Sequence, residues 1–332
     1  MTQRTRWAIV VGILVAVLVL PAFVTAAPGG GAGPPARVHP TKKPKPNPTA
    51  SPTASPTASP TASPTTPPST VTLVGAGDIA SCSSSGDEAT ANLLDGIAGT
   101  VFTAGDNAYD SGTSTEFANC YDPTWGRHKA RTRPSAGNHD YTTAGATGYY
   151  GYFGAAAGDP TKGYYAYDLG AWRIYALNSN CSVVGCAGGS VQEQWLRSDL
   201  AANPRACVAA YWHHPRFSDS THGNSTSVQP FWQALYEAGA ELVISGHDHD
   251  YQRWAPQTPT GSLDAGGGIV EFVAGMGGRS HYTFTTTSAN RVAGNTTSYG
   301  VLRLDLGPGA YSFEFVPVAG QTYTDSGTDT CH

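Results

Sequence analysis

Five short motifs hold most of the chemistry that this chain can offer: Gly77-Asp78, Gly105-Asp106-Asn107-Ala108-Tyr109, Gly137-Asn138-His139-Asp140, Trp212-His213-His214-Pro215 and Gly246-His247-Asp248-His249. Their side chains are carboxylates, amides, imidazoles and a phenol. That mixture suits hard or borderline cations and not a thiolate-loving ion. There are enough donors for two adjacent ions. Paired ions of this kind activate water and clamp the oxygens of a phosphoryl group under attack.

The motifs differ in what each proves alone. Asp78 after a glycine reads equally well as a turn residue. Asp106 and Tyr109, three apart around Asn107, also match ordinary loop composition. Gly137-Asn138-His139-Asp140 has no obvious packing use. Gly246-His247-Asp248-His249 is the most telling, because two alternate histidines after a strand present neighbouring ligand nitrogens. Five such segments in one chain, in this order, are not a coincidence of composition.

Each motif follows a segment that reads as a β-strand, which places it where open α/β sheets put their ligands. Val71 to Gly75, Thr100 to Thr103, Cys207 to Trp212 and Glu241 to Ser245 are short apolar runs. Tyr164 to Leu169 and Trp172 to Leu177 alternate around Gly170 and predict paired strands. Glu88 to Ile97 and Gln229 to Ala238 have helical spacing. Ser190 with Glu193 predicts a capping box for a helix whose apolar side runs through Val191, Trp195 and Leu200. Gly268 to Gly275, Tyr299 to Leu306 and Ala310 to Val318 are expected as antiparallel strands. Strand–helix alternation followed by further strands fits an α/β fold of two packed mixed sheets flanked by helices.

Residues before about 70 belong to another class. Met1 to about Ala27 has Arg4 and Arg6, an apolar run from Trp7 to Leu20 and a small-residue site at Val24-Thr25-Ala26, the pattern of an export signal. An uncleaved membrane anchor is the alternative. Residues 28 to 69 contain four tandem Pro-Thr-Ala-Ser units from Pro48 to Ser63, an extended spacer able to tether a domain to wall or membrane. Residues 70 to 332 then form one catalytic domain. None of the 24 acidic and six of the 19 basic residues precede residue 70, so this domain carries 24 acids against 13 bases. That balance disfavours duplex nucleic acid as a partner and leaves a small phosphate ester compatible. Six cysteines in an exported chain predict disulfides. Cys181 with Cys186, Cys82 with Cys120 and Cys207 with Cys331 is one of fifteen pairings.

The motif set resembles that of the calcineurin-like metallophosphoesterase superfamily, and within it the purple acid phosphatases, over about residues 70 to 320. Most members carry a ligand histidine two residues after the first aspartate; here that place is Ala80. Purple acid phosphatases instead use a tyrosine three residues after the second aspartate, where this chain has Tyr109. The resemblance implies that Asp78, Asp106, Tyr109 and His249 hold a first ion, most simply Fe(III). Asp106, Asn138, His213 and His247 would hold a second, zinc, manganese or ferrous, with Asp106 bridging. It implies that His139 and His222 contact the phosphate or leaving group, while His214 is read either as a pocket contact or as packing. His281 and Arg279 either line the pocket or form a plain turn; His128 and His332 are read as surface residues. The expected activity is phosphomonoester hydrolysis by attack of a metal-activated hydroxide in a secreted or surface-associated enzyme. Diester hydrolysis and a noncatalytic adhesion role are the rivals; loss of ligands would mark the second.

Overall fold

The computed structural model describes residues 69–332. The expected export signal and nearly all of the spacer lie outside the described residues. Among the described residues no helix is long and apolar enough to cross a membrane.

Two sheets form the body of the domain. The first runs Ser326–Thr330, Ala310–Pro317, Gly300–Gly307, Val71–Ala76, Thr100–Ala104, Thr132–Ser135, each strand beside the next. The second runs Arg291–Asn295, Tyr251–Trp254, Val270–Ala274, Leu242–Ser245, Cys207–Tyr211, Trp172–Ala176, Tyr165–Leu169. Parallel strands form one end of the first sheet, Val71–Ala76 beside Thr100–Ala104 and that strand beside the edge strand Thr132–Ser135, and the centre of the second, Trp172–Ala176 beside Cys207–Tyr211 and that strand beside Leu242–Ser245. Cys207–Tyr211 and Leu242–Ser245 are buried throughout. Their apolar runs lack polar alternation because both faces are covered. Antiparallel strands complete the first sheet on one side and the second on both, and helices Gly86–Gly96, Val191–Ala202 and Gln229–Glu237 accompany them. The mixed, two-sheet α/β class expected from the sequence is the class observed.

Aromatic side chains join the sheets face to face. Phe102 meets Tyr211 with ring centroids 5.7 Å apart, Phe272 meets Phe313 at 5.2 Å and Trp172 meets Tyr311 at 5.7 Å. The polar tips of these rings find carbonyls on the opposite sheet: Trp172 Nε1 donates to Gly307 O at 2.9 Å and Tyr211 Oη to Arg133 O at 2.8 Å. Such rings bring large apolar area and still satisfy their donors. The Cys207–Cys331 disulfide ties the second sheet to the segment that follows the edge strand of the first. Cys82–Cys120 and Cys181–Cys186 complete the set, the pairing put forward from sequence.

Several expectations need correction. Val270–Ala274 is antiparallel to Tyr251–Trp254 but parallel to Leu242–Ser245, because the strand returns between those two and must match both. Helix Val191–Ala202 buries Gln192, Glu193, Leu196 and Leu200 and leaves Val191 74% exposed, so its inward stripe is rotated by about one residue from the expected start at Val191. Ser190 Oγ accepts from Glu193 N, yet the Glu193 carboxylate takes the N–H of Gly189 and not that of Ser190, so the capping box is half made. His128, expected at the surface, is buried under helix Gly86–Gly96, its Nε2 3.3 Å from Ala91 O, whereas His332 is exposed as expected and pairs with Glu241.

Candidate metal centre

Five parallel strands end on one side of the domain, three from the first sheet and two from the second, and each delivers a motif there. Asp78 follows Val71–Ala76, Asp106 follows Thr100–Ala104 and Asn138 follows Thr132–Ser135. His213 follows Cys207–Tyr211 and His247 follows Leu242–Ser245. To aim inward immediately after a strand, Asp78, Asp106 and His247 adopt positive φ values of 60°, 51° and 71°. Left-handed backbone is costly for residues with a Cβ, and such strain gathers at functional sites. The motif glycines supply space. A Cβ on Gly137 would sit 2.1 Å from Asp106 Oδ1, and one on Gly246 would sit 2.6 Å from Asp78 Oδ2.

The expected ligands of the first ion converge on one point. Tyr109 Oη lies 2.8 Å from Asp78 Oδ1, 3.1 Å from Asp106 Oδ2 and 3.2 Å from His249 Nε2. His249 Nε2 lies 3.3 Å from Asp78 Oδ1. The other nitrogen of His249 donates to Ser280 O at 2.7 Å, since a carbonyl can only accept. In a neutral ring Nε2 is then a bare lone pair facing oxygens. Ala80 is fully buried and offers nothing to a cation.

The second group repeats this logic. His213 Nδ1 donates to Ala104 O at 2.8 Å. Its Nε2 faces Asp106 Oδ2 at 3.2 Å, Asn138 Oδ1 at 3.0 Å and His247 Nδ1 at 3.1 Å. Two oxygen acceptors crowd this one nitrogen, and the neighbouring His247 nitrogen brings a further ligand atom to the same point. Asp106, His213 and His247 present ligand atoms within 4.8 Å of one another. A cation satisfies them together, and carbonyl-anchored imidazoles are the usual arrangement of histidine ligands. The residues present therefore fit a pair of ions that share Asp106.

Electrostatics without cations shows the same demand. Burial opposes a charged His213, but the Asp106 carboxylate outweighs it and raises the imidazole to about 9. Burial also opposes charge on Asp106, yet His213 and His139 hold that carboxyl well below its usual range. His247 is kept neutral by burial and by the neighbouring His213, His214 and His222. The Tyr109 phenol is pushed far up, first by burial and then by Asp106 and Asp78. A cation among these carboxylates would reverse the sign of their effect on the phenol.

His139 and His222 stand at the rim. His139 N donates to Asp106 Oδ1 at 2.8 Å, its Nδ1 donates to Asp110 O at 2.6 Å, and its Nε2 lies 4.0 Å from Asp106 Oδ2. The exposed His222 ring stacks on His247 with centroids 4.0 Å apart. His214 is half-buried, hydrogen-bonded through Nδ1 to Ser179 Oγ, and held down to about 3 first by desolvation and then by His213. His281 is half-buried against Tyr299, whereas Arg279 reaches the site, its guanidinium 4.9 Å above the Tyr109 ring and bonded to Asp110.

Sequence reasoning assigned no role to the residues that hold these side chains. Asp140 accepts from Gly137 N and Asn107 Nδ2, both at 2.9 Å, and locks the second motif to the third. Asp248 Oδ1 accepts from His222 N at 2.9 Å. Both acids lie inside motifs already singled out, and their position there was the available signal.

The model of the calcineurin-like phosphoesterase family matches residues 72–251, which span all five motifs. The chain belongs to that family. An uncharacterised protein of Mycobacterium tuberculosis is 27% identical over 190 residues, covering 45% of this chain and 36% of the relative. The chain thus spans about a third of that relative's length. Among solved structures, this calcineurin-like phosphoesterase is similar to a purple acid phosphatase from yellow lupin seeds (TM-score 0.62, 18% identity, 79% of this chain and 54% of that one). It is also similar to a dimetal phosphatase from Danio rerio (TM-score 0.52, 14% identity, 79% and 99%). A third similar structure is the anchor in the inner membrane complex of Plasmodium (TM-score 0.60, 13% identity, 77% and 88%). Identities this low speak for the fold, and the fold serves a hydrolase and an anchor alike. Family membership and the convergent donors together give this domain the phosphoesterase fold with side chains placed to hold a pair of cations.

Proposed function

We propose that this phosphoesterase is an exported phosphomonoesterase of the purple acid phosphatase type, with Fe(III) in the Tyr109 site and zinc, manganese or Fe(II) beside it. One observation carries the reading: Tyr109 Oη sits at the meeting point of Asp78, Asp106 and His249, on the side where Ala80 leaves no other donor. A phenolate is a hard anionic ligand suited to a trivalent ion. Ions held by Asp78, Asp106, Tyr109, Asn138, His213, His247 and His249 would supply Lewis acidity to the phosphoryl oxygens and a water of lowered pKa.

The chain's own groups do the rest. Asn138 and His139 orient the non-reacting phosphate oxygens and stabilise the charge that gathers on them. His222 protonates the leaving alkoxide. No side-chain nucleophile is required. The substrate is a small phosphate ester, in keeping with the acidic surface. The N-terminal pattern is read as an export signal followed by a spacer that tethers the domain outside the cytoplasm.

Metal analysis with a visible spectrum tests this directly. A phenolate-to-iron band should colour the protein, and Tyr109→Phe should abolish the band while the fold survives. A colourless, fully active protein containing only zinc or manganese would overturn the iron–phenolate reading and leave the dinuclear esterase standing.

A further inference from the structure

Two loops meet above the rim on the side of His222, and one buried carboxylate joins them. Residues 217–223 carry His222; residues 277–291 carry Tyr282, whose ring lies flat on His249 with centroids 4.0 Å apart and edge-on to His222 at 5.4 Å. Asp219, 1% exposed, belongs to the first loop and spends its acceptors on the second. Its carboxylate accepts from Thr286 Oγ1, Ser288 Oγ and Arg291 Nε at 2.7 Å each and from Ser288 N at 2.8 Å. Its carbonyl accepts from the N–H groups of Thr285 and Thr286 at 2.8 and 3.1 Å. None of these donors belongs to the metal centre.

A second anchor lies on the other side of the loop. Gln252 bridges Asp219 N and Ser218 Oγ at 3.0 and 2.8 Å, and Ser218 in turn donates to Asp248, which holds His222 N. Between these anchors Thr221 and His222 are exposed. Among the described residues the His222 imidazole makes no hydrogen bond. Its direction therefore depends on stacking against His247 and Tyr282 and on where the loop backbone is pinned.

We propose that Asp219 is a positioning residue for leaving-group protonation: it fastens the His222 loop to the 285–291 segment and so holds the imidazole against the departing oxygen. The inference rests on His222 as the proton donor. In the step concerned, the water oxygen bonds to phosphorus as the P–O bond to the leaving group breaks. The electron pair stays on that oxygen, which takes the proton from His222. Misplacing a proton donor slows only those reactions that need the proton. A merely structural ion pair between Asp219 and Arg291 would instead lower all rates together, through the folded fraction.

The test compares a poor leaving group, ethyl phosphate, with a good one, 4-nitrophenyl phosphate, on metal-loaded enzyme of measured metal content. His222→Ala should slow ethyl phosphate by about 100-fold and the nitrophenyl ester far less. Asp219→Asn should reproduce the same bias at about tenfold, with unchanged metal content. Ser288→Ala, which removes one donor and leaves the ion pair, should show the bias in weaker form and serves if Asp219→Asn fails to fold. Equal slowing of both esters by the Asp219 and Ser288 variants, with the bias intact in His222→Ala, would overturn the role of Asp219. Absence of the bias in His222→Ala itself would overturn the reading of His222 on which it rests.

Discussion

Asp78, Asp106 and His247 hold left-handed backbone, a conformation that costs an ordinary residue about 1–2 kcal/mol. Among residues with a Cβ, Asn, Asp and His tolerate it best, so the residue types present suit the backbone they occupy. Asp106→Asn keeps that tolerance and the side-chain shape while removing the shared negative charge. It should lose bound metal and cut turnover by more than about 100-fold, as metal analysis and steady-state kinetics would show. Full metal content with near-normal turnover would contradict a bridging role. At this scale the motif residues themselves were legible, because chemistry demands their side-chain types at set places. The geometry of support was not. Asp140 and Asp248 have the composition of any loop acid, and only the fold shows that one locks two motifs together and the other holds His222 N. Asp219 had even less signal, since its partners lie more than sixty residues away in sequence.

At the scale of elements, a strand end, a glycine and a ligand form a repeated unit. Gly137→Ala would drive a methyl group against Asp106 Oδ1, a contact of 2.1 Å that only a shift of the third motif can relieve. We expect circular dichroism close to that of the parent protein, weakened metal binding measured by competition with a chelator, and activity restored only in part by excess metal. Four of the strands leading into the motifs were readable as apolar runs because burial on both faces removes alternation, whereas Thr132–Ser135, with Arg133 exposed and Pro134 within it, was not. The partners of Val270–Ala274 were not, because pairing direction is decided by where the chain can return and not by composition. Helix Val191–Ala202 was found with part of its face: Leu200 is buried and Trp195 packs against the core as expected, whereas Val191 stays in solvent and Leu196 was missed.

For the whole molecule, charge and covalent links set the conditions of stability. Burial raises Glu271 to about 8 and Glu241 to about 7 from an ordinary 4.5. Without metal, the Asp106 carboxylate overcomes burial to raise His213 from 6.5 to about 9. In each case the folded protein keeps a proton that the unfolded chain has released, so stability falls as pH rises through the gap. The metal-free protein should therefore lose thermal stability between about pH 6.5 and 8, and added metal should flatten the loss by displacing the His213 proton. A midpoint that climbs across that range would contradict these assignments. Replacing Cys207 and Cys331 by serine opens a link between residues 124 apart and should cost about 2–4 kcal/mol, read by denaturant unfolding. The two ions would also stand on a seam: Asp106 rises from one sheet, while His213 and His247 rise from the other. Their separation is then a gauge of how closely the sheets lie. Trimming Phe102 to leucine, fully buried opposite Tyr211, should reset that gauge and detune turnover with every ligand intact. Hydrostatic pressure, which squeezes the same gap, should move the wild-type rate as well, making this protein a sensor of its own interior.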